Sequence, residues 1–169
     1  GFLGLDNIGV FNRSIEMPGD MRLEQADGTS WMGMYALNMM EMALEISMHD
    51  KSFEDTATKF FEHFVLIAEA LNQHGLWNDE DKFFYDTLTV FHSNPIQLRI
   101  QSIVGLTTLF AVSIIENKVF DNLPDFKKRS SWLEKYRLKH NRFWPNEEHA
   151  DGGKTLLSLI QQDKLKNIL

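Results

Sequence analysis

The sequence predicts an all-α fold of helical hairpins with one short β-hairpin inserted, and three observations carry that prediction. Apolar residues recur at helical spacing over several long segments. Segments with almost no polar side alternate with segments carrying a single apolar stripe, so a covered helix is followed by a wet one, twice over. Between the two pairs, "KFFYDTLTVF" and "IQLRI" flank the turn signal "HSNP" and are rich in β-branched and aromatic residues. Covered helices beside wet ones are what the inner and outer rings of a double-ring α/α toroid require. Stacked helical hairpins of a solenoid require the same alternation. The two pairs share no residue pattern at a fixed period, which disfavours a regular repeat family.

Residues 1–28 hold five of the ten glycines and one of the four prolines among polar residues, so they read as a loop-rich rim. A first helix pair follows over 29–75. Its opening helix, "TSWMGMYALNMMEMALEISMHD", has Thr29 or Ser30 as N-cap and two overlapping stripes. One stripe runs through Met32, Tyr35, Met39, Met42 and Ile46, the other through Leu37, Met40, Leu44 and Met48, which predicts cover on most sides. Its partner starts with Ser52 and Asp55 spaced as in a capping box and stops at Gly75. Ala57, Phe60, Phe61, Phe64, Ile67, Ala68 and Leu71 form its stripe, opposite Lys59, Glu62, Glu69 and Gln73.

The loop and β-hairpin occupy 76–101, and a second helix pair 102–141. "SIVGLTTLFAVSII" reads as a covered helix; the charged helix after it has Pro124 near its start, with Phe126, Leu133, Tyr136 and Trp132 facing inward. Residues 142–169 read as a loop and the start of a further helix, apolar at Leu156, Leu157, Ile160, Leu165, Ile168 and Leu169. With no initiator methionine and no glycine or proline stop at the end, 1–169 reads as a single partial domain of a longer polypeptide.

Composition narrows the function classes. A net charge of -7 offers no footprint for nucleic acid or an anionic membrane. The absence of cysteine excludes a disulfide framework and a thiolate metal cluster, and favours a cytoplasmic setting. No apolar run is long enough to span a bilayer. The six histidines show no metal-ligand spacing. The acidic run "NDEDKFFYD" offers Asp79, Asp81 and Asp86 as hard oxygen ligands, but Phe83 stands where calcium-loop spacing wants a ligand, so a charged turn is the better reading. The methionines of the first helix sit at core spacing. No phosphate loop, nucleophile elbow or catalytic triad order is present, and no cofactor is expected.

That leaves the loops "GLDNIGVFNRS" and "LEQADGTSWMGMY". Asp6, Glu24 and Asp27 lie there among Phe11, Trp31, Tyr35, Asn7, Arg13 and Gln25. Aromatic platforms, amides and opposed carboxyl groups are what glycoside hydrolysis needs: one acid kept protonated for the leaving oxygen, one base for water. Asp27-Gly28 is equally a turn dipeptide ahead of a helix, where an Asp commonly caps.

The stretches "GFLGLDNIGVFNRS", "LEQADGTSWMGMY", "GLWNDEDKFFYD" and "IQSIVGLTTLFAVS", with the later "NEEHADGGKTLLSLI", resemble the C-terminal catalytic domain of glycoside hydrolase family 63 along the whole chain. The resemblance implies an (α/α)6 toroid and inverting hydrolysis of α-glycosidic bonds. It makes Asp6, in Gly4-Leu5-Asp6-Asn7, the general acid, its pKa kept high by Phe2, Leu5 and Ile8. Asn7, Gln25, Asp27 and Trp31 would line the sugar subsite. Asn12 stands where the family pattern has Asp, and Gln101 where it has Arg, each loosening an ion pair. The family's general base is a Glu downstream of Leu169, so the isolated chain is expected to be inactive. Implied partners are an oligosaccharide or small α-glucoside and the rest of the toroid, with self-association through uncovered inner-helix surface. The competing expectation is a non-catalytic α-helical scaffold or protein-binding module.

Overall fold

The protein's structure, a computed structural model, describes residues 12–73, 75–90, 93–149 and 153–168. Its centre is a helical hairpin. Helix α1 (Ala26–Ser47) and helix α2 (Glu54–Gln73) are joined by a one-turn 3-10 helix over Lys51–Phe53. Ala, Met, Leu and Glu dominate α1, all residues that lose little freedom in a helix. The turn is fixed by Asp50, whose carboxylate accepts the Ser52 N–H at 3.0 Å. Helix α2 ends just before Gly75, which takes the left-handed conformation (φ +79°) that releases the chain.

The stripe expected for α2 is the floor of the core. Ala57, Phe64, Ala68 and Leu71 are fully buried and Phe61 nearly so, against Leu37, Met40, Ala43 and Leu44 of α1. Helix α5 (Pro124–Lys139) seals the outer side of α2 with Phe126, which is 0% exposed and packs edge-on to Phe61. Its first turn is tied to α2 by Glu54, whose carboxylate accepts the N–H groups of Asp125 and Phe126 at 3.0 and 2.9 Å. Two orphan donors of one helix are thereby satisfied by a side chain of another.

Three antiparallel sheets surround this hairpin. Strand β1 (Met21–Glu24) pairs with β4 (Asp86–Val90), and β4 with β5 (Ile96–Leu98), so the expected hairpin forms and gains a third strand. A two-stranded ladder joins β2 (Trp77–Asn78) to β3 (Phe83–Phe84). The third sheet has the order β6-β8-β7, from β6 (Val112–Glu116), β7 (Asn146–His149) and β8 (Lys154–Ser158). Short helices α3 (Ile103–Leu106), α4 (Asn117–Asn122) and α6 (Gln162–Ile168) complete the described elements.

The all-α expectation, and with it the part-toroid architecture, is overturned: among the described residues eight strands in three antiparallel sheets stand beside the helices. The physical reason lies in two segments. "SIVGLTTLFAVSII" is one turn of α3, a 3-10 turn over Thr107–Phe110 and then β6. Gly105 lies so close to the Phe83 ring and to the Phe84 carbonyl oxygen that an added Cβ would collide with both. The residues beyond it, three of them β-branched, alternate, Ser113 and Ile115 buried, Val112 and Ile114 exposed, which is strand periodicity inside an apolar run. Likewise Leu156 and Leu157 belong to β8, and helix resumes only at Gln162.

Smaller corrections follow the same logic. Residues 1–28 are not all loop, since β1 and the start of α1 fall within them; α1 begins before Thr29 and Ser30, whose hydroxyls bond back to the Gln25 and Ala26 carbonyls. Only one of the two α1 stripes is covered: Leu37, Met40 and Leu44 are buried, while Met32, Tyr35, Met42 and Ile46 are 40–54% exposed. Trp132 and Tyr136, expected inward, stack on each other at the surface. Glu69, expected wet, is buried between Arg137 and Arg142. Among the described residues no helix is long and apolar enough to cross a membrane.

Candidate functional site

The first N–H groups of α1 have no partner within the helix, and the N-cap residue, Gln25, is extended and makes no side-chain cap. The cap comes instead from sixty residues away: Asp86, the first residue of β4, accepts the Ala26 N–H at 2.9 Å. Pairing of β1 with β4 brings it there, since Glu24 and Thr87 are register partners at the end of the ladder. Asp27 adds a second carboxylate in the first turn and accepts the Gly28 N–H at 2.8 Å. Both carboxylates sit at the positive end of the α1 dipole.

Arg13 lies between them. Its Nη2 contacts the Asp27 carboxylate and its Nε lies 2.8 Å from Asp86 Oδ2, with all three side chains shut off from solvent. The Gln25 side-chain amide donates to the Arg13 carbonyl at 3.1 Å, so side chain and backbone of Arg13 are both fastened to the start of α1. Burial pushes the Asp86 carboxyl above the usual range, and repulsion from Asp27 adds to that; the Ala26 N–H and the Arg13 guanidinium pull the other way. Two carboxylates share one guanidinium, and the helix N-terminus offsets the surplus negative charge.

Of the residues singled out in the sequence, Gln25 and Asp27 are brought together through Arg13. Asp27 is 0% exposed, so it holds Arg13 and the helix start and presents no face to solvent. Trp31, one turn further along, keeps part of its ring accessible, tilted against Phe110 at 5.8 Å. Asp6 and Asn7 lie outside the described residues, as do Phe2, Leu5, Ile8 and Phe11. Asn12 turns its side-chain oxygen onto the Ser14 N–H at 3.0 Å, a local turn. Beside the helix start, a shallow depression of about 480 Å³ is lined by Arg22, Glu24, Thr29, Leu76, Thr89 and Pro95. Glu24 there is ion-paired with Arg22 at 2.6 Å and partly open to solvent.

The acids weighed as calcium ligands disperse. Asp79 accepts the Trp77 indole N–H at 2.9 Å, and Asp81 takes the Tyr85 hydroxyl at 2.9 Å and Arg99 Nε at 2.7 Å. Among the described residues no group of three acidic or histidine side chains could hold a metal ion. The member that local reading missed is Asp86 as a partner of Arg13. Its signal was present only as an acid opening a strand, and its role depends on a pairing across 73 positions.

No protein-family model matches the chain, and no solved structure matches it. Among curated proteins it is similar to Uncharacterized protein YMR196W of Saccharomyces cerevisiae, 38% identical over 187 aligned positions that take in 100% of this chain and 17% of that protein. The chain thus spans about a sixth of the length of the curated relative it matches.

Proposed function

We propose that this chain supplies one side of a glycoside hydrolase site, similar to family 63 enzymes, that cleaves α-glycosidic bonds with inversion. The observation that supports it is the buried Arg13–Asp27–Asp86 cluster, which fastens the chain seven residues after Asp6 to the helix start bearing Gln25 and Trp31. Burying three charges in one place is costly, and the outcome is a fixed position for Arg13 beside the start of α1. In this reading Asp6 protonates the glycosidic oxygen, while Asn7, Gln25 and Trp31 meet the sugar. Asp27 acts at one remove, by positioning Arg13. The base that activates water on the opposite face, about 6.5–9.5 Å from the acid in inverting enzymes, comes from outside this chain. An oligosaccharide or small α-glucoside is the substrate class, and a cytoplasmic setting belongs to the same proposal.

The test is an NMR titration of the chain with a glucose-like iminosugar, run beside Asp6→Asn. Shifts at Asp6, Asn7, Gln25 and Trp31 that weaken in the variant are the expected result. No shift at millimolar ligand overturns the assignment. In a longer polypeptide containing this segment, Asp6→Asn abolishes sugar release at unchanged fold, and near-normal turnover refutes the acid role.

A second reading, a non-catalytic protein-binding module, draws on the uncovered α1 stripe of Met32, Tyr35, Met42 and Ile46. A monomeric, cooperative melt without sugar affinity favours it.

A further inference from the structure

Near the end of α2 the side-chain amide of Asn72 donates to the Ala68 carbonyl and to the Leu159 carbonyl, each at 2.8 Å. Both donors of the amide are used, and its Oδ1 accepts from Lys164 Nζ at 2.7 Å. The same ammonium stands over two rings, 5.0 Å from the Trp77 centroid and 5.7 Å from that of Phe84. Both lie within the reach at which a ring face attracts a cation. The rings are themselves fixed. Trp77 and Phe84 are register partners in the β2-β3 ladder and meet edge-on at 4.8 Å, and the Trp77 indole N–H donates to Asp79 at 2.9 Å. Each member of this seat is therefore held by a partner other than Lys164.

The element that supplies the cation is held far less firmly. Helix α6 has seven residues, none of them buried, and a helix of that length is not stable in water by itself. Leu165 and Ile168 are only partly buried against the core. Lys164 is the polar attachment. Burial lowers its pKa from the ordinary lysine value, and Asp163 and Asp79 oppose that shift. The ring faces and the Asn72 oxygen stand in for part of the water that the ammonium gives up. A fixed receptor thus meets a lightly held donor.

We propose that Asn72, Trp77 and Phe84 form a preformed seat for a primary alkylammonium, filled in cis by Lys164, and that α6 is a strap which a competing alkylammonium releases. The rings select for positive charge and the Asn72 oxygen takes one N–H, so a neutral alcohol of the same length gains much less. The natural competitor of this chemistry is the lysine side chain of a partner. Leu165 of α6 lines an apolar cleft of about 330 Å³ together with Leu109, Val112 and Leu156, so release of the strap removes one wall of that cleft. The seat is built from α2, β2 and β3, away from the α1 start, and does not depend on the hydrolase reading.

The test follows the indole N–H resonances of the four tryptophans in the whole chain, with that of Trp77 assigned by its loss in Trp77→Phe. Lys164→Ala vacates the seat, and n-butylammonium chloride, which matches the lysine stem in length, is titrated into it beside n-butanol and sodium chloride. The Trp77 resonance moves saturably with the ammonium alone, and the unmodified chain needs at least tenfold more of it for the same shift. Adding Asn72→Ala to Lys164→Ala weakens binding about tenfold, the loss of one charge-assisted hydrogen bond, while the other three indole signals report an intact fold. A second measurement needs no variant: in the unmodified chain, n-butylammonium speeds hydrogen exchange of the α6 amides beyond what equal sodium chloride does, and leaves α1 and α2 unchanged. The proposal is overturned if Trp77 does not respond in Lys164→Ala, if butanol shifts it equally, or if the unmodified chain responds at the same concentration. Unchanged α6 exchange overturns it too, and decides the matter alone should Lys164→Ala fail to fold.

Discussion

Replacing Arg13 by methionine keeps much of the length of the side chain and removes the guanidinium from between Asp27 and Asp86, leaving two carboxylates facing each other in a closed space. Breaking a buried ion pair by removing one partner costs about 3–5 kcal/mol, because the remaining charge has neither water nor counterion. For a chain of this size each kcal/mol lowers the melting temperature by about 2–4 °C, so the expected fall is about 6–20 °C.

The effect depends on pH with a definite sign. The Asp86 carboxyl already titrates above its unfolded value, so the folded state binds its proton more tightly and stability falls as pH rises through the window between the two values. Loss of Arg13 raises that carboxyl further and widens the window. The Arg13→Met deficit is therefore largest at pH 7 and smaller at pH 4, as more of that carboxyl takes up its proton. Urea melts followed by far-UV circular dichroism at both pH values measure it. A loss under about 1 kcal/mol at pH 7, or one equal at both pH values, would falsify the reasoning. Adding Asp86→Asn to Arg13→Met relieves the repulsion and recovers part of the loss at neutral pH.

Glu69 behaves in the opposite sense. Burial alone would raise its carboxyl, but hydrogen bonds from Arg142 and Arg137 outweigh that and hold it below the usual range, so its contribution is present at neutral pH and is lost as pH falls through the folded value. Glu69→Gln costs about 1.5–3 kcal/mol at pH 7, and the gap to the parent closes in acid, as paired denaturant melts will show. Gly105→Ala forces a methyl against the Phe84 backbone oxygen, which cannot rotate away, and destabilises by about 1–3 kcal/mol or more. Gly33→Ala meets only the end of the Leu159 side chain and is the milder of the two in a thermal melt.

What the sequence determined by itself was whatever local periodicity and turn chemistry could encode. The α2 stripe from Ala57 to Leu71, the stop at Gly75, the start of α5 at Pro124 and the turn between β4 and β5 all follow from residues within a few positions of each other. The gathering of Gln25 and Asp27 near one helix start was also readable in the stretch "LEQADGTSWMGMY". Only the tertiary structure decided the rest. An apolar run such as "LFAVSII" is compatible with a covered helix or a strand, and what makes it a strand is pairing with β8 some forty residues later. Asp86 became the cap of α1 and a partner of Arg13 because the β1–β4 ladder carried it there, and the α1 stripe of Met32, Tyr35, Met42 and Ile46 stayed largely open while that of Leu37, Met40 and Leu44 was buried. Strand pairing and ion clusters are long-range contacts whose energy depends on geometry absent from any short window, whereas helix periodicity is written into each window it occupies.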